Sequence, residues 1–476
     1  MHFKALRQAM LANLWVNEAE EARQTRQFVH GGRELHSLPN HPLSSHFSRT
    51  EPTHAADALP VAVSDTRTQQ HVSRERIQVL ALCGWCVANI VTSLSDYSLG
   101  TIGPLIPRIQ KVYHVGFAVV SLIFVFACLG FIAGALINVP LTDRLGFGKM
   151  LTWGSLGPIV AYVIQAPAPP FPLFILSFVI NGVGIAIQGA QANGYVASLK
   201  NNSEIKIGLL HGAYGAGALV SPLVATQFSQ LSRWSFHYLA SLGVALANAL
   251  VLLLVFRLKG QDECLASVGE AAGETSTSER STFRQILSTR AVHLLAFFIL
   301  VYVGVEVTIG GWIVMYIIDV RGGGPSAGYV SAGFFGGLMT GRIALLWLNS
   351  KVSKSIISCS FCSSAHQIGE RRVMYVYSIF AIGLELVVWL VPSLIADAIA
   401  VAIVGVLLGP IYPITINHTG RVLPRWLLTG AIGWIAGFGQ AGSAVFPFLT
   451  GAVAAKTGIK ALQPLLISMM CLMLVL

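Results

Sequence analysis

Three carboxylates stand out inside the long apolar stretches of the 476-residue chain: Asp96, Glu306 and Glu385. A charge held at the centre of a bilayer costs about 2.5 to 3.5 kcal/mol on insertion scales, so each acid needs a compensating role. It can take up a proton, pair with a cationic group on a solute, or stay protonated and hydrogen-bond a neighbouring helix. Asp96 and Glu306 fall in the first and seventh apolar stretches, and both are expected to line a central cavity. Glu385 reads more readily as a helix-to-helix hydrogen bond. Neutral polar residues cluster as Asn181, Gln188, Gln191 and Asn193, with His211, Tyr214, Asn417, His418 and Gln440 further along. Of these, Gln188, Gln191, Asn193, His211, Asn417 and Gln440 are the candidate solute contacts, although any of them can equally bond another helix. Tyr302 and Trp312 flank Glu306 and could stack on a ring; for Trp312, anchoring at the membrane boundary is the readier role.

The elements that must carry these residues are legible in the composition. Hydrophobic residues make up 54% of the chain and charged residues 11%, where a soluble domain carries about 25% charged. That excludes an ordinary soluble enzyme. Twelve apolar stretches follow residue 76: 77–102, 117–139, 150–166, 171–197, 207–228, 234–256, 291–318, 328–348, 373–391, 394–418, 426–454 and 461–476. In hydrocarbon, unpaired backbone groups are too costly for anything but helices or closed barrels, and these runs lack the alternation of barrel strands. An all-α membrane protein of twelve transmembrane helices is therefore expected.

The formal net charge of +10 would suggest nucleic acid in a soluble protein, but the basic residues sit in short loops, where they set orientation. No nucleic-acid partner is expected. With the N-terminal tail inside, inner segments hold 19 Lys and Arg against six outside: Arg108, Lys111, Arg233, Arg321, Lys456 and Lys460. Both termini are thus placed in the cytoplasm. The acceptor sequence Asn201-Asn202-Ser203 then faces the cytoplasm and stays unglycosylated. Enzymatic deglycosylation should leave the mobility of the expressed protein unchanged; a shift traced to Asn201 would invert the topology.

Residues 1–76 mix charges of both signs with histidines and prolines and bury too little to fold alone, so they read as a disordered cytoplasmic tail. The polar stretch 257–290 reads as a cytoplasmic linker dividing an N-terminal six-helix bundle, 77–256, from a C-terminal one, 291–476. The halves echo one another. Thr142-Asp143-Arg144-Leu145 parallels Thr340-Gly341-Arg342-Ile343, and Gly217 to Pro222 parallels Gly442 to Pro447, as parallel repeats require. Residues 352–367 interrupt what would otherwise be a short loop, and their Val-Ser start and Gln end can be encoded as splice borders. They read as an insertion, a translated intron.

No catalytic constellation or metal cluster appears, so neither an enzyme nor a cofactor is expected, protons being the one candidate coupling ion. Cys83-x-x-Cys86 lies in an apolar stretch without partners for zinc. Gly437 to Gly442 matches a dinucleotide-binding pattern but follows no strand, so Gly433, Gly437, Gly439 and Gly442 read as close helix packing.

Asp143-Arg144-Leu145-Gly146 and Lys149, after the second of twelve stretches in two echoing halves, resemble the loop signature of the major facilitator superfamily, Gly-x-x-x-Asp-Arg-x-Gly followed by basic residues. Val139 stands at the first glycine, and Phe147 and Gly148 at the basic pair. A closer resemblance is to a fungal branch, the bypass-of-stop-codon type related to fucose permeases. It rests on Gly208 to Gly215, on Tyr302 to Trp312 and on Leu427 to Gln440. The resemblance implies two pseudo-symmetric six-helix bundles. It also implies a cytoplasmic gate built on Asp143, Arg144 and Gly146, to which the internal echo adds Arg342. In fucose permeases an acid in span 1 and another in span 4 serve proton symport. Asp96 matches the first, Gly189 falls at the second, and Glu306 would take its place.

The expectation is a monomeric secondary transporter in the plasma or vacuolar membrane, surrounded by lipid. It would move a small neutral polar solute by alternating access with proton coupling. Export of a fungal metabolite and a non-transporting nutrient receptor are the alternatives.

Overall fold

The computed structural model of the chain describes residues 100–198, 203–267, 285–345, 363–423 and 425–476. Asp96, Cys83 and Cys86, the tail and most of the first stretch lie outside them, as do residues 268–284 of the linker and 352–362 of the expected insertion. Every described residue is helical or connects helices, with no strand among them.

The helices are α1 (100–113), α2 (Leu122–Leu145), α3 (Phe147–Gln165), α4 (Phe171–Ser198), α5 (Ser203–Ser229) and α6 (His237–Phe256). The later set is α7 (Arg290–Arg321), α8 (Gly328–Thr340), α9 (Ser363–Leu390), α10 (Leu394–Leu408), α11 (Ile411–Val422), α12 (Arg425–Thr457) and α13 (Leu462–Val475). A short turn, Phe117–Val120, precedes α2. Seven of the described segments are long and apolar enough to cross a membrane, among them Arg290–Arg321 and Leu394–Val422.

Several ends differ from the sequence expectation. The helix of the first stretch runs to residue 113 rather than 102 and takes in Pro104 and Pro107. α2 continues through Pro140 to Leu145. Proline forfeits one backbone bond, which neighbouring helices compensate inside a membrane bundle, so it did not act as a terminator here. The tenth stretch, expected as one helix, breaks at Gly409-Pro410 into α10 and α11. α9 begins at Ser363 and so includes the last residues of the expected insertion.

The packing follows the internal repeat. Within the first half α2 packs on α4, α4 on α3, and α3 on α6. Within the second, α8 packs on α10, α10 on α9, and α9 on α13, the same scheme six spans later. The halves meet along α2 against α12 and α5 against α8, two interfaces that a two-fold exchange of halves carries into each other. This is the architecture of two pseudo-symmetric bundles.

Glycine allows some of these contacts. A Cβ on Gly337 would collide with the Ala402 carbonyl, and one on Gly341 with the Val406 carbonyl, so α8 and α10 touch backbone to backbone. The same reasoning fails on α12. Gly442 is pressed on the Leu300 carbonyl, but Gly433 and Gly437 have no neighbour within 4 Å. The expectation that all four of those glycines mark close approach is corrected to Gly439 and Gly442.

Candidate functional site

A cavity of about 60 Å³ lies between the halves, where α2 and α4 of the first face α12 of the second. Among the described residues its polar lining is neutral: Asn181 from α4, Gln440 and Ser443 from α12. Phe124 and Phe178 supply apolar walls. Asn181 is only 3% exposed, and its side-chain oxygen has no hydrogen-bond partner. A buried amide oxygen left unsatisfied is costly, and here it belongs to a residue that lines a cavity. Cys128 Sγ donates to the Gln440 carbonyl at 3.4 Å, and Ser443 Oγ donates to the same carbonyl at 2.7 Å. The first of these bonds ties the two halves beside the cavity. The volume is enough to admit water, which needs about 10–15 Å³ of such space.

Glu306 does not line this cavity. It is 5% exposed and pairs within the second half with Arg342, whose Nη2 donates to its two oxygens at 3.3 and 3.4 Å. Arg342 was expected at a cytoplasmic gate in a loop. The structure instead buries it, 8% exposed, in a π-helical turn, Gly341–Leu345, that extends α8. A guanidinium with a buried carboxylate in reach exchanges loop solvation for an ion pair. Tyr302, fully buried one turn before Glu306, interacts with both members and donates to the Leu408 carbonyl at 3.1 Å. That carbonyl lies at the break between α10 and α11, and Tyr412 packs 6.3 Å from the Tyr302 ring. The pair thus ties α7 to the end of α8, the helix that meets α5 across the halves.

The amides of α4 are mostly engaged in packing. Gln188 is fully buried, donates to the Gly154 carbonyl at 3.1 Å and accepts from Asn248 at 2.9 Å, so it joins α4 to α3 and α6. Gln191 donates to Asn138 at 2.8 Å and to Thr142 at 2.6 Å, joining α4 to α2. Neither lines the cavity, and in this structure both bond neighbouring helices. Asn193 is exposed and donates to its own helix at Gly189, 2.8 Å away. Asn417 is exposed on α11. Neither belongs to the cavity lining. Among the described residues, Gln440 alone of the expected contacts lines it. The side chains of His211 and Asp143 lie outside the described residues, and Arg144 is exposed. Gly146 caps α2 by donating to the Thr142 carbonyl at 2.8 Å; its φ of 80° is one that glycine adopts freely.

Trp312 is corrected from a boundary anchor. It is fully buried, donates to the Pro447 carbonyl at 3.0 Å and packs on Phe117 and Phe124 of the first half. Sequence reasoning gave neither Arg321 nor Asp397 a role in the site; they form a second ion pair at 2.8 Å, with Asp397 buried and Arg321 half-buried. Their signal was an acid in the first turn of α10 and a base in the last turn of α7.

The sequence pattern of the Major Facilitator Superfamily matches residues 88–365, more than half of the chain, and the chain belongs to that family of membrane transporters. It is 26% identical to "Bypass of stop codon protein 6" of Saccharomyces cerevisiae over 416 residues, 82% of this chain and 80% of that one. It is 22% identical to the "Glucose/mannose transporter GlcP" of Bacillus subtilis, over 54% of this chain and 65% of that one. Among solved structures, a D-xylose-proton symporter superposes with a TM-score of 0.64 at 12% identity, covering 82% of this chain and 95% of the other. A bacterial homologue of the human lysosomal transporter Spinster, inward-facing and unoccupied, superposes with a TM-score of 0.63 at 12% identity, covering 85% and 95%. The structural likenesses show the all-helical fold, and membership of the family makes the chain an integral membrane transporter of a small-molecule solute.

Proposed function

We propose that this chain moves a neutral polar solute across its membrane by alternating access, with the solute held at the cavity between α2, α4 and α12. The observation that carries the reading is Asn181, a buried amide oxygen without a partner in the lining of an uncharged cavity shared by both halves. Such a group calls for a hydroxyl or N–H donor, and the absence of a lysine or arginine from that lining among the described residues disfavours an anion. The sugar-related names of a relative and of a structural neighbour agree with a hydroxyl-bearing solute. A cavity of about 60 Å³ is too small for a hexose, so loading requires the halves to rock apart.

Glu306 is the proposed proton carrier. Taking a proton removes its charge and with it the hold on Arg342, which frees the end of α8 from α7. Because α8 also packs on α5, the change reaches the interface between halves. Asp143 and Arg144 remain proposed for the cytoplasmic gate, both termini are proposed to be cytoplasmic, and the chain is proposed to act as a monomer in the plasma or vacuolar membrane.

Purified protein in proteoliposomes, given a panel of neutral sugars and polyols under an imposed pH gradient, tests this. Wild type should accumulate one solute class uphill, whereas Glu306→Gln should only equilibrate it. Uphill accumulation by the variant at the wild-type level would remove Glu306 from coupling. Saturable binding without flux would make the protein a receptor.

A further inference from the structure

Glu385 has no part in the reading above, yet it is a fully buried acid of a membrane span. It is 0% exposed on α9, and neither carboxylate oxygen has a hydrogen-bond partner. Gln463, at the start of α13, stands beside it, equally buried, with both amide atoms unpartnered. A carboxyl and a primary amide complement each other fully only when the carboxyl carries its proton. The acid O–H then donates to Gln463 Oε1, while Nε2–H donates to the acid carbonyl.

The surrounding groups point the same way. From α7, Tyr316 donates to the Val388 carbonyl at 3.3 Å. Arg321, on the same helix, commits its Nε to Asp397 Oδ2 at 2.8 Å and its Nη2 to the carbonyls of Val388 and Trp389. From α10, Asp397 is 0% exposed and keeps its other oxygen unpartnered. The guanidinium is thus committed to Asp397 and to the α9 carbonyls, and Glu385 has no ion pair among the described residues. Arg321 and Asp397 cover the end of α9 one turn beyond Glu385.

We propose that Glu385 is an exchangeable proton-binding site of the second half, closed by the Arg321–Asp397 pair at the end of α9. When that pair opens, the Glu385 O–H bond breaks, water takes the proton, and Arg321 balances the carboxylate left behind. The site is separate from Glu306 and from the solute cavity, and it stands whether or not the cavity takes a sugar.

Infrared difference spectroscopy of the full-length protein in lipid, titrated over the pH range in which it stays folded, reads this directly. Wild type should show a protonated-carboxyl carbonyl band that fades as pH rises. Glu385→Gln should lose that band, and Gln463→Leu should keep it at a higher frequency because the proposed acid–amide hydrogen bond cannot form. Asp397→Asn, which releases Arg321, should move the fading to lower pH. A band unaffected by Glu385→Gln, or one assigned to Glu385 that does not change with pH, would overturn the proposal. Should Glu385→Gln fail to fold, an unshifted band in Gln463→Leu would overturn it as well.

Discussion

Arg342→Met is expected to destabilise the protein by about 3–5 kcal/mol, because it strands the Glu306 carboxylate in the bundle without its counter-charge. Glu306 and Arg342 are 5% and 8% exposed, so water cannot make up the loss. The double variant Glu306→Gln with Arg342→Met removes both charges and should recover most of the stability, since a buried pair replaced as a unit by neutral groups is often close to neutral in free energy. Thermal unfolding of the purified protein in detergent measures this. If Arg342→Met melts with wild type, the pair does not clamp α7 to α8. The double variant also separates stability from coupling: folded, it should carry solute only down its gradient.

The second large effect belongs to Gly337. Leucine there has no space, because even a Cβ would collide with the Ala402 carbonyl, so α8 and α10 would have to separate. Overpacking of this kind costs about 1–3 kcal/mol and sometimes more, and parting two backbones that touch along Gly337 and Gly341 belongs at the upper end. Gly437 provides the contrast. It has open space around it in the middle of α12, so Gly437→Ala should leave the melting temperature unchanged or raise it, alanine being the better helix former by about 1 kcal/mol. Equal losses for the two substitutions would contradict the packing described.

The helices were legible because lipid imposes one demand, a long run of apolar residues, and the sequence meets it openly. Their ends were less so. Pro104, Pro107 and Pro140 look like terminators but are absorbed into α1 and α2, whereas Gly409-Pro410 does break a helix. Composition alone does not tell these cases apart, since the difference lies in which neighbours take up the orphaned carbonyls. Glu306 announced itself as a charge in an apolar run. Its partner did not, being 36 residues away and reading as a loop arginine. Gln188, Gln191 and Gln440 look alike in sequence. Only the packing shows that the first two bind helices together and the third lines the cavity, while Asn181, noted with its neighbours, turns out to be the unsatisfied one.

The central claim is that solute crosses through the cavity that Asn181 lines. Equilibrium exchange of labelled solute in proteoliposomes without a pH gradient tests it without reference to coupling. Wild type should exchange, and Asn181→Leu, which replaces the amide with a side chain of similar size and no acceptor, should retain the wild-type melting temperature and lose exchange. Undiminished exchange in Asn181→Leu would place the solute path elsewhere.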